Sequence, residues 1–101
     1  MAKIFVTRKI PDAGPKLLES RGHEVVVSKK DGVLTKDELL AALRAAPYDA
    51  VICLLTDKID EEVMATAPQA KIFANYAVGV DNIDLAAAKQ RGITIANTPG
   101  V

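Results

Sequence analysis

The stretch "AVICLLTDKIDEEVMATAPQAKIFANYAVGVDNIDLAAAKQRGITIAN", residues 50–97, decides the fold because three short apolar runs in it alternate with two helical patterns. The apolar runs are rich in Ile and Val, which favour β-strands. Two more runs of the same kind precede it, so that strands are predicted at 3–7, 24–28, 50–55, 71–76 and 93–97. Three of these five runs are almost continuously apolar, which is typical of parallel strands covered on both faces.

Helical signals fill the intervals between these runs. Helices are predicted at about 12–21, 35–46, 60–66 and 84–92. The best-marked start is "TKDE", where Thr35 and Glu38 have the spacing of a capping box, and Asp60 is the predicted cap of the next helix. We expect the last helix to be capped by Asp81 or Asn82 and to end at Gly92.

The alternation of five strands with four helices predicts an α/β fold of the flavodoxin-like kind, a parallel sheet of order 2-1-3-4-5 with helices on both faces. Residues 1–101 form one domain in this interpretation. Such a domain normally has a fifth helix after the last strand, whereas this chain ends four residues after Asn97. We therefore expect an incomplete domain whose last strands expose apolar surface on one face. A homo-oligomer formed through that face is the expected consequence.

Charge and cysteine usage exclude several classes of protein. The 13 basic and 13 acidic residues cancel, so the chain has no electrostatic footprint for nucleic acid or an anionic membrane. Cys53 is the single cysteine and lies in an apolar run, which predicts a buried, unreactive thiol in a cytoplasmic protein. The acidic residues Asp57, Asp60, Glu61 and Glu62 are interpreted as helix-start charges, and no metal site is predicted.

Ligands of such folds bind beyond the carboxyl ends of the strands, next to the point at which the strand order reverses. The loops that meet there are "TRKIPD", "LLTDKID" and "YAVGVDNID". In the third loop, Gly79 allows backbone angles closed to other residues and close approach of a ligand. Two interpretations stay open: the amides of residues 78–80 form a small anion site for a carboxylate or phosphate, or the glycine only makes a tight turn.

Motifs of common nucleotide-binding proteins are absent from the sequence. It has neither G-x-G-x-x-G nor G-x-x-x-x-G-K-[ST], which excludes a dinucleotide fingerprint and a P-loop. Arg8 and Lys9 are interpreted as solvated loop charges, and His23 opens the second strand, away from the expected crevice. The residues therefore supply no convincing general acid or base.

The stretch "NYAVGVDNIDLAAAKQRGITIANTPGV", residues 75–101, resembles the D-isomer-specific 2-hydroxyacid dehydrogenases, and above all their glyoxylate/hydroxypyruvate reductase branch. The pattern "VGVDNID…RGI…NTPG" is specific to that family, and "KIFVTRKIP" and "YDAVICLLTDKID" extend the resemblance over the whole chain. The resemblance implies the first segment of a substrate-binding domain, with residues 97–101 as the hinge to an absent nucleotide-binding Rossmann domain. Such enzymes reduce a 2-keto acid with NADH or NADPH.

The resemblance also implies roles for particular residues. The backbone amides of Val78 and Gly79 would hold the substrate carboxylate, while Leu54 would line the pocket and Tyr76 and Ala77 would border it. The hinge would begin at Asn97, Thr98 and Pro99. Phosphoglycerate dehydrogenases usually have an arginine where this sequence has Leu54, which favours a small acid such as glyoxylate or hydroxypyruvate.

The nearby Lys58 keeps a phosphorylated substrate open. In such enzymes the glycine-rich cofactor loop, the catalytic arginine, and the histidine with its supporting acid belong to the Rossmann domain. This chain is therefore expected to contain no catalytic, cofactor-binding or metal-binding residue and to be inactive alone. Two other hypotheses are a self-standing, non-catalytic flavodoxin-like binding or assembly module, and a reductase half that works only with a separate cofactor-binding chain.

Overall fold

The computed structural model describes residues 2–8, 16, 19–28, 32–54, 56–75, 79 and 81–97. Its five strands are β1 (Lys3–Val6), β2 (Glu24–Val27), β3 (Ala50–Cys53), β4 (Ile72–Asn75) and β5 (Thr94–Asn97). All neighbours pair in parallel, in the order β2-β1-β3-β4-β5. The predicted α/β class and strand order are confirmed, and each strand is shorter than its apolar run.

The register lines up one row of apolar side chains across the whole sheet. Phe5 pairs with Val26 on one side and with Val51 on the other, Val51 pairs with Phe73, and Phe73 pairs with Ile95. Because side chains alternate between the faces of a strand, residues paired in register share one face. Phe5, Val51 and Phe73 are at most 3% exposed, so this row forms the floor of the hydrophobic core.

Three helices cover that row: α1 (Lys36–Arg44), α2 (Glu61–Thr66) and α3 (Leu85–Arg91). Their buried side chains join the same core cluster as the row. These residues are Leu39, Leu40, Leu43, Val63, Met64, Ala87 and Ala88. Of the predicted helix at 12–21, Lys16, Glu19 and Ser20 are helical, and residues 12–15, 17 and 18 lie outside the described ones.

Helix α1 starts as predicted, at a capping box. The Thr35 side chain accepts a hydrogen bond from the Glu38 amide at 3.2 Å, and the Glu38 carboxylate accepts one from the Thr35 amide at 2.9 Å. Asp60 caps α2 by accepting from the Val63 amide at 3.0 Å. Both caps use donors within three residues, which is why sequence spacing predicts them.

The predicted cap of α3 is wrong. Asp84, not Asp81 or Asn82, accepts the hydrogen bond from the Ala87 amide, at 3.0 Å. Asp81 and Asn82 form a turn instead, and Ile83 forms a parallel bridge with Ile59. The cap therefore lies two or three residues later than predicted, and the Asn82 side chain makes other contacts. Gly92 ends α3 in the left-handed conformation, with φ of 68°, as predicted.

On the opposite face of the last strands, several of the described residues are exposed to solvent. Ile72 is 43% exposed, whereas its neighbour Phe73 on the core face is fully buried. Thr94 and Ala96 are exposed, and Ile52 and Ala74 are half-buried. The expected exposure of apolar surface on these strands is therefore present at Ile72. Within the described part of the chain, no helix has the length and apolar character needed to cross a bilayer.

Candidate functional site

Polar residues converge at the carboxyl ends of the strands, next to the point between β1 and β3 at which the strand order reverses. Open α/β sheets bind ligands at this point. Thr7 follows β1, Leu54 and Asp57 follow β3, and Asn75 ends β4. Gly79 and Asn82 lie in the loop that follows β4. We call these residues, Thr7, Leu54, Asp57, Asn75, Gly79 and Asn82, the polar network. It links the same three loops that the sequence predicts to line the crevice.

Asp57 anchors the loop after β3. Its side chain is buried, 4% exposed, and one carboxylate oxygen accepts hydrogen bonds from the Thr7 hydroxyl and from the Leu54 amide, the latter at 2.9 Å. The interpretation of Asp57 as a helix-start charge is therefore wrong. The Asp57 amide donates to the Leu54 carbonyl at 2.9 Å, and this turn directs the carboxylate inward. Asp60, not Asp57, caps helix α2.

Asn82 joins the loops after β3 and β4. Its side-chain NH₂ donates to the Asp57 carbonyl at 2.8 Å and to the Leu54 carbonyl at 3.1 Å. Its main-chain carbonyl accepts from the Ile59 amide at 2.9 Å. Buried carbonyl groups need such partners, so one carboxamide satisfies two carbonyls that no strand or helix pairs.

Asn75 extends the network to the glycine turn. Its side chain is fully buried, and its NH₂ donates to the Gly79 carbonyl and to the Asn82 side-chain oxygen, both at 2.8 Å. Its own side-chain oxygen faces the Asn82 NH₂ at 3.3 Å and the Cys53 thiol at 3.5 Å. All hydrogen-bonding capacity of the buried carboxamide is thus used within the protein.

Gly79 is exposed, and its φ lies outside the left-handed range. The turn therefore does not use the positive φ that glycine allows, and the predicted role of Gly79 in ligand binding stays a prediction. A Cβ atom added there would meet no heavy atom of the described residues within 4 Å. Its carbonyl is held by Asn75, and among the described residues none accepts a hydrogen bond from its amide.

Of the other predicted site residues, two lie within the described part of the chain, Leu54 and Asn97. Leu54 is half-buried, and both its amide and its carbonyl are engaged by Asp57 and Asn82, which leaves its side chain as the part able to contact a ligand. Asn97 ends β5 and is exposed. The remaining predicted residues, Tyr76, Ala77, Val78, Thr98 and Pro99, lie outside the described residues.

Cys53 adjoins the network from β3. The side chain is fully buried, and burial, with a smaller contribution from the nearby Asp57 carboxylate, raises the pKa of the thiol to about 12. Since only the thiolate is an effective nucleophile, the predicted unreactive thiol is supported by both its burial and its pKa.

We expect Cys53 to react with a thiol reagent only after the protein opens. At pH 8 and without denaturant, labelling by an aromatic disulfide is expected to run at least about 100-fold slower than in the urea-unfolded chain, because thiolate is scarce and access is blocked. The measurement is the absorbance of the released thiolate over time. Equal rates in the folded and unfolded chain would contradict the buried position of Cys53.

Of the concavities that the described residues form, one borders the polar network at Asn82 and a larger one lies away from it. A groove of about 360 Å³ runs between residues 58–60 and 81–84, and three aspartates, Asp60, Asp81 and Asp84, face one lysine, Lys58, along it. This excess of negative charge makes the groove a poor site for a multiply charged anion. A larger one, about 390 Å³, lies at the ends of α1 and α2 and is lined by residues 43–48 and 66–69. It is remote from the carboxyl ends of the strands, where ligands of such sheets bind.

His23 and the acidic residues occupy structural positions. His23 lies at the amino end of β2, where its Nδ1 accepts from the Ala2 amide at 3.1 Å, so it is far along the strand direction from the network. Asp60 forms an ion pair with Lys36 at 2.6 Å. Partial burial alone would raise the pKa of the Asp60 carboxyl group. The hydrogen bonds from Lys36 and from the Val63 amide outweigh this effect and lower the pKa of Asp60. Across the described ranges, no cluster of three or more His, Cys, Asp or Glu could hold a metal ion.

Sequence reasoning missed the roles of Thr7, Asp57, Asn75 and Asn82. A signal exists for Thr7 and Asn75, because each is a polar residue directly at the carboxyl end of an apolar run. Polar side chains at that edge of a parallel sheet commonly face a ligand or a loop. No local signal distinguishes Asn82 from its neighbours, since its partners are 7 to 28 residues away in the sequence.

The sequence matches a known protein family. The family model for "D-isomer specific 2-hydroxyacid dehydrogenase, catalytic domain" matches residues 4–101. The glyoxylate reductase of Thermofilum pendens is 46% identical over 99 residues, and that of Thermococcus litoralis is 44% identical over 99 residues. Each alignment covers 98% of this chain, and the chain spans only 29% of the length of either relative.

Solved structures agree with these relatives. The TT0316 protein of Thermus thermophilus superposes with a TM-score of 0.85 at 39% identity, over 97% of this chain and 30% of that one. The NAD⁺-bound 3-phosphoglycerate dehydrogenase of Entamoeba histolytica superposes with a TM-score of 0.80 at 34% identity, over 98% of this chain and 33% of that one. The same strand order thus occurs within longer proteins.

Proposed function

We propose, since the chain belongs to the D-isomer specific 2-hydroxyacid dehydrogenase family, that it forms the substrate-binding part of a reductase of small 2-keto acids. Family members act on small 2-keto or 2-hydroxy acids. In the intact protein, a second domain would supply the nicotinamide cofactor and the catalytic side chains. The chain alone would then bind the acid and orient it, without transferring hydride.

The observation that carries this proposal is the open glycine turn at the carboxyl end of β4. Gly79 is exposed, has none of the described side chains packed against it and is held in place through its carbonyl. Two main-chain N–H groups at such a turn, those of Val78 and Gly79, are suited to a carboxylate because charge-assisted hydrogen bonds to an anion are stronger than neutral ones. Tyr76 and Ala77 would border the bound acid.

A small, unphosphorylated acid is favoured by the surroundings of the turn. Leu54 offers an apolar side chain where phosphoglycerate dehydrogenases usually have an arginine. The adjoining groove also has three aspartates against Lys58, which disfavours the additional charge of a phosphate. Glyoxylate and hydroxypyruvate are therefore the substrates we propose for the intact enzyme, with the hinge to its second domain at Asn97, Thr98 and Pro99.

NADH or NADPH would supply the hydride in the intact enzyme, and the proposed cofactor site lies in the second domain. A cytoplasmic location fits the single, unpaired thiol of Cys53.

The exposed face around Ile72 supports self-association of the chain, because burial of apolar surface drives association. In the isolated chain, we propose that a second copy covers this face.

We expect the chain alone to show no dehydrogenase activity. Mixed with NADH or NADPH and glyoxylate or hydroxypyruvate, it should oxidise cofactor no faster than the blank, because no general acid is placed beside the glycine turn among the described residues. The absorbance of the reduced cofactor measures this directly. The intact protein encoded by the same gene is the positive control and should turn over at least one of the two acids.

Each alternative predicts a different result in the same assay. Turnover by the chain alone would refute the assignment of the catalytic residues to a second domain. Activity that appears only when a separately made cofactor domain is added would support the hypothesis of a two-chain reductase. Absence of turnover by the intact protein with either acid would favour the non-catalytic binding module.

A further inference from the structure

We propose that Asn75 is a positioning residue for substrate binding: its buried carboxamide anchors the Gly79 carbonyl and so holds the glycine turn, whose Gly79 amide would meet the acid group. The inference rests on the proposed function, because it concerns the same glycine turn. Asn75 would not touch the substrate itself. It would act through Gly79, to which it donates a hydrogen bond at 2.8 Å.

The turn has little else among the described residues to hold it. Gly79 is exposed and no described heavy atom lies within 4 Å of the position a Cβ would take. Asn75, by contrast, is fully buried at the end of a central strand. The hydrogen bond therefore joins a buried strand end to an exposed residue of the loop, and a binding group is precise when a buried partner fixes it.

The carboxamide is itself fixed on its other side. Asn82 accepts from the Asn75 NH₂ at 2.8 Å, and the Asn82 NH₂ donates to the Asp57 carbonyl at 2.8 Å and the Leu54 carbonyl at 3.1 Å. Asp57 in turn accepts from Thr7 after β1. An unbroken series of hydrogen bonds thus runs from β1 through the loop after β3 to Gly79, so the turn is held relative to Leu54.

The chemistry of the site selects asparagine over its isosteres. Both hydrogens of the Asn75 NH₂ are directed at oxygen atoms, those of Gly79 and Asn82. A carboxylate at this position would place oxygen against oxygen at both contacts, and an apolar side chain would leave the Gly79 carbonyl without its donor. A rotated carboxamide would create the same oxygen–oxygen contacts, so the observed orientation is the one that satisfies every partner.

The test is Asn75→Asp in the intact reductase, assayed with glyoxylate and hydroxypyruvate. The KM for the acid should rise about tenfold or more, with kcat changed less than about threefold and the KM for the cofactor unchanged. The reason is that a displaced carboxylate anchor weakens the ground state and the transition state alike, which raises KM without lowering kcat. Asn75→Ser, which also removes the donor to Gly79 but adds no charge, should give the same pattern and serves if Asn75→Asp fails to fold.

Val63→Ala is the matched control for a purely structural effect. Val63 is fully buried in α2 and belongs to the hydrophobic core rather than to the polar network. This variant should lower the melting temperature by about as much as the Asn75 variants do. It should leave the KM for the acid within about twofold of the wild-type value. If Val63→Ala raises the KM as much as the Asn75 variants do, the effect is one of general stability and the proposal is overturned.

Gly79→Ala separates this inference from the proposed function. The new methyl group meets open space and an ordinary φ, so it should preserve the fold while obstructing the place of the acid, and the KM should rise. A raised KM in Gly79→Ala with an unchanged KM in the Asn75 variants would overturn the role of Asn75 alone. An unchanged KM in Gly79→Ala, or an inactive wild-type reductase, would overturn the proposed site, and the role of Asn75 with it.

Discussion

Phe73→Ala is expected to destabilise the chain by about 3–5 kcal/mol, the usual cost of removing a buried aromatic side chain. Phe73 is fully buried on β4 and pairs in register with Val51 and Ile95, so its removal leaves a cavity in the centre of the core row. Domains of this size have a total stability of roughly 5–15 kcal/mol. Urea denaturation followed by circular dichroism should show a large fall in the midpoint or no folded baseline.

Ile72→Ala is the control on the adjacent residue. Ile72 points to the open face and is 43% exposed, so its truncation should cost about 1 kcal/mol at low protein concentration, because it removes less buried area. If a second copy covers this face, the cost should increase with protein concentration, since association stabilises the folded state by mass action. Equal losses for the two variants would contradict the assignment of the core to one face of the sheet.

Asn82→Ala is expected to cost about 2–3 kcal/mol, although Asn82 is only half-buried and lies in a loop. The truncation removes the donors to the Leu54 and Asp57 carbonyls and the acceptor of Asn75. The Leu54 carbonyl keeps the hydrogen bond from the Asp57 amide, so the loss falls mainly on the Asp57 carbonyl and on one hydrogen of the Asn75 NH₂. Buried polar groups that lose their partners cost roughly 1–3 kcal/mol each, and water can restore part of that loss at a half-buried site. Thermal melts of the variant and the wild-type chain measure the difference.

Asp81→Ala provides the matched comparison, because Asp81 is the exposed neighbour of Asn82. Surface substitutions of this kind usually change stability by about 0.5 kcal/mol or less. Asn82→Asp should be at least as damaging as Asn82→Ala at neutral pH, since a carboxylate would face two carbonyl oxygens. A loss at Asp81 as large as that at Asn82 would indicate that the loop, and not the carboxamide, carries the effect.

Features that depend on neighbouring residues were predictable from sequence. The capping box of Thr35 and Glu38, the Asp60 cap and the left-handed Gly92 each involve partners within five residues. The apolar runs also predicted a parallel sheet, because parallel strands buried on both faces need continuous apolar sequence, and the order 2-1-3-4-5 was expected as the commonest one for five such strands. The α3 cap was mispredicted because the bridge between Ile59 and Ile83, a contact across 24 residues, decides where that helix can begin.

The candidate site shows the same division. The amino-acid sequence by itself determined the class of the fold and the loop that contains Gly79, since strand and helix periodicity and short-range caps are written in adjacent residues, and the strand order followed as the commonest one for that class. Only the tertiary structure decided that Asp57, Asn75 and Asn82 meet, and that Gly79 is held by its carbonyl rather than by an unusual φ. The physical reason is that these hydrogen bonds depend on how three parallel strands align, which is set by the packing of the whole core.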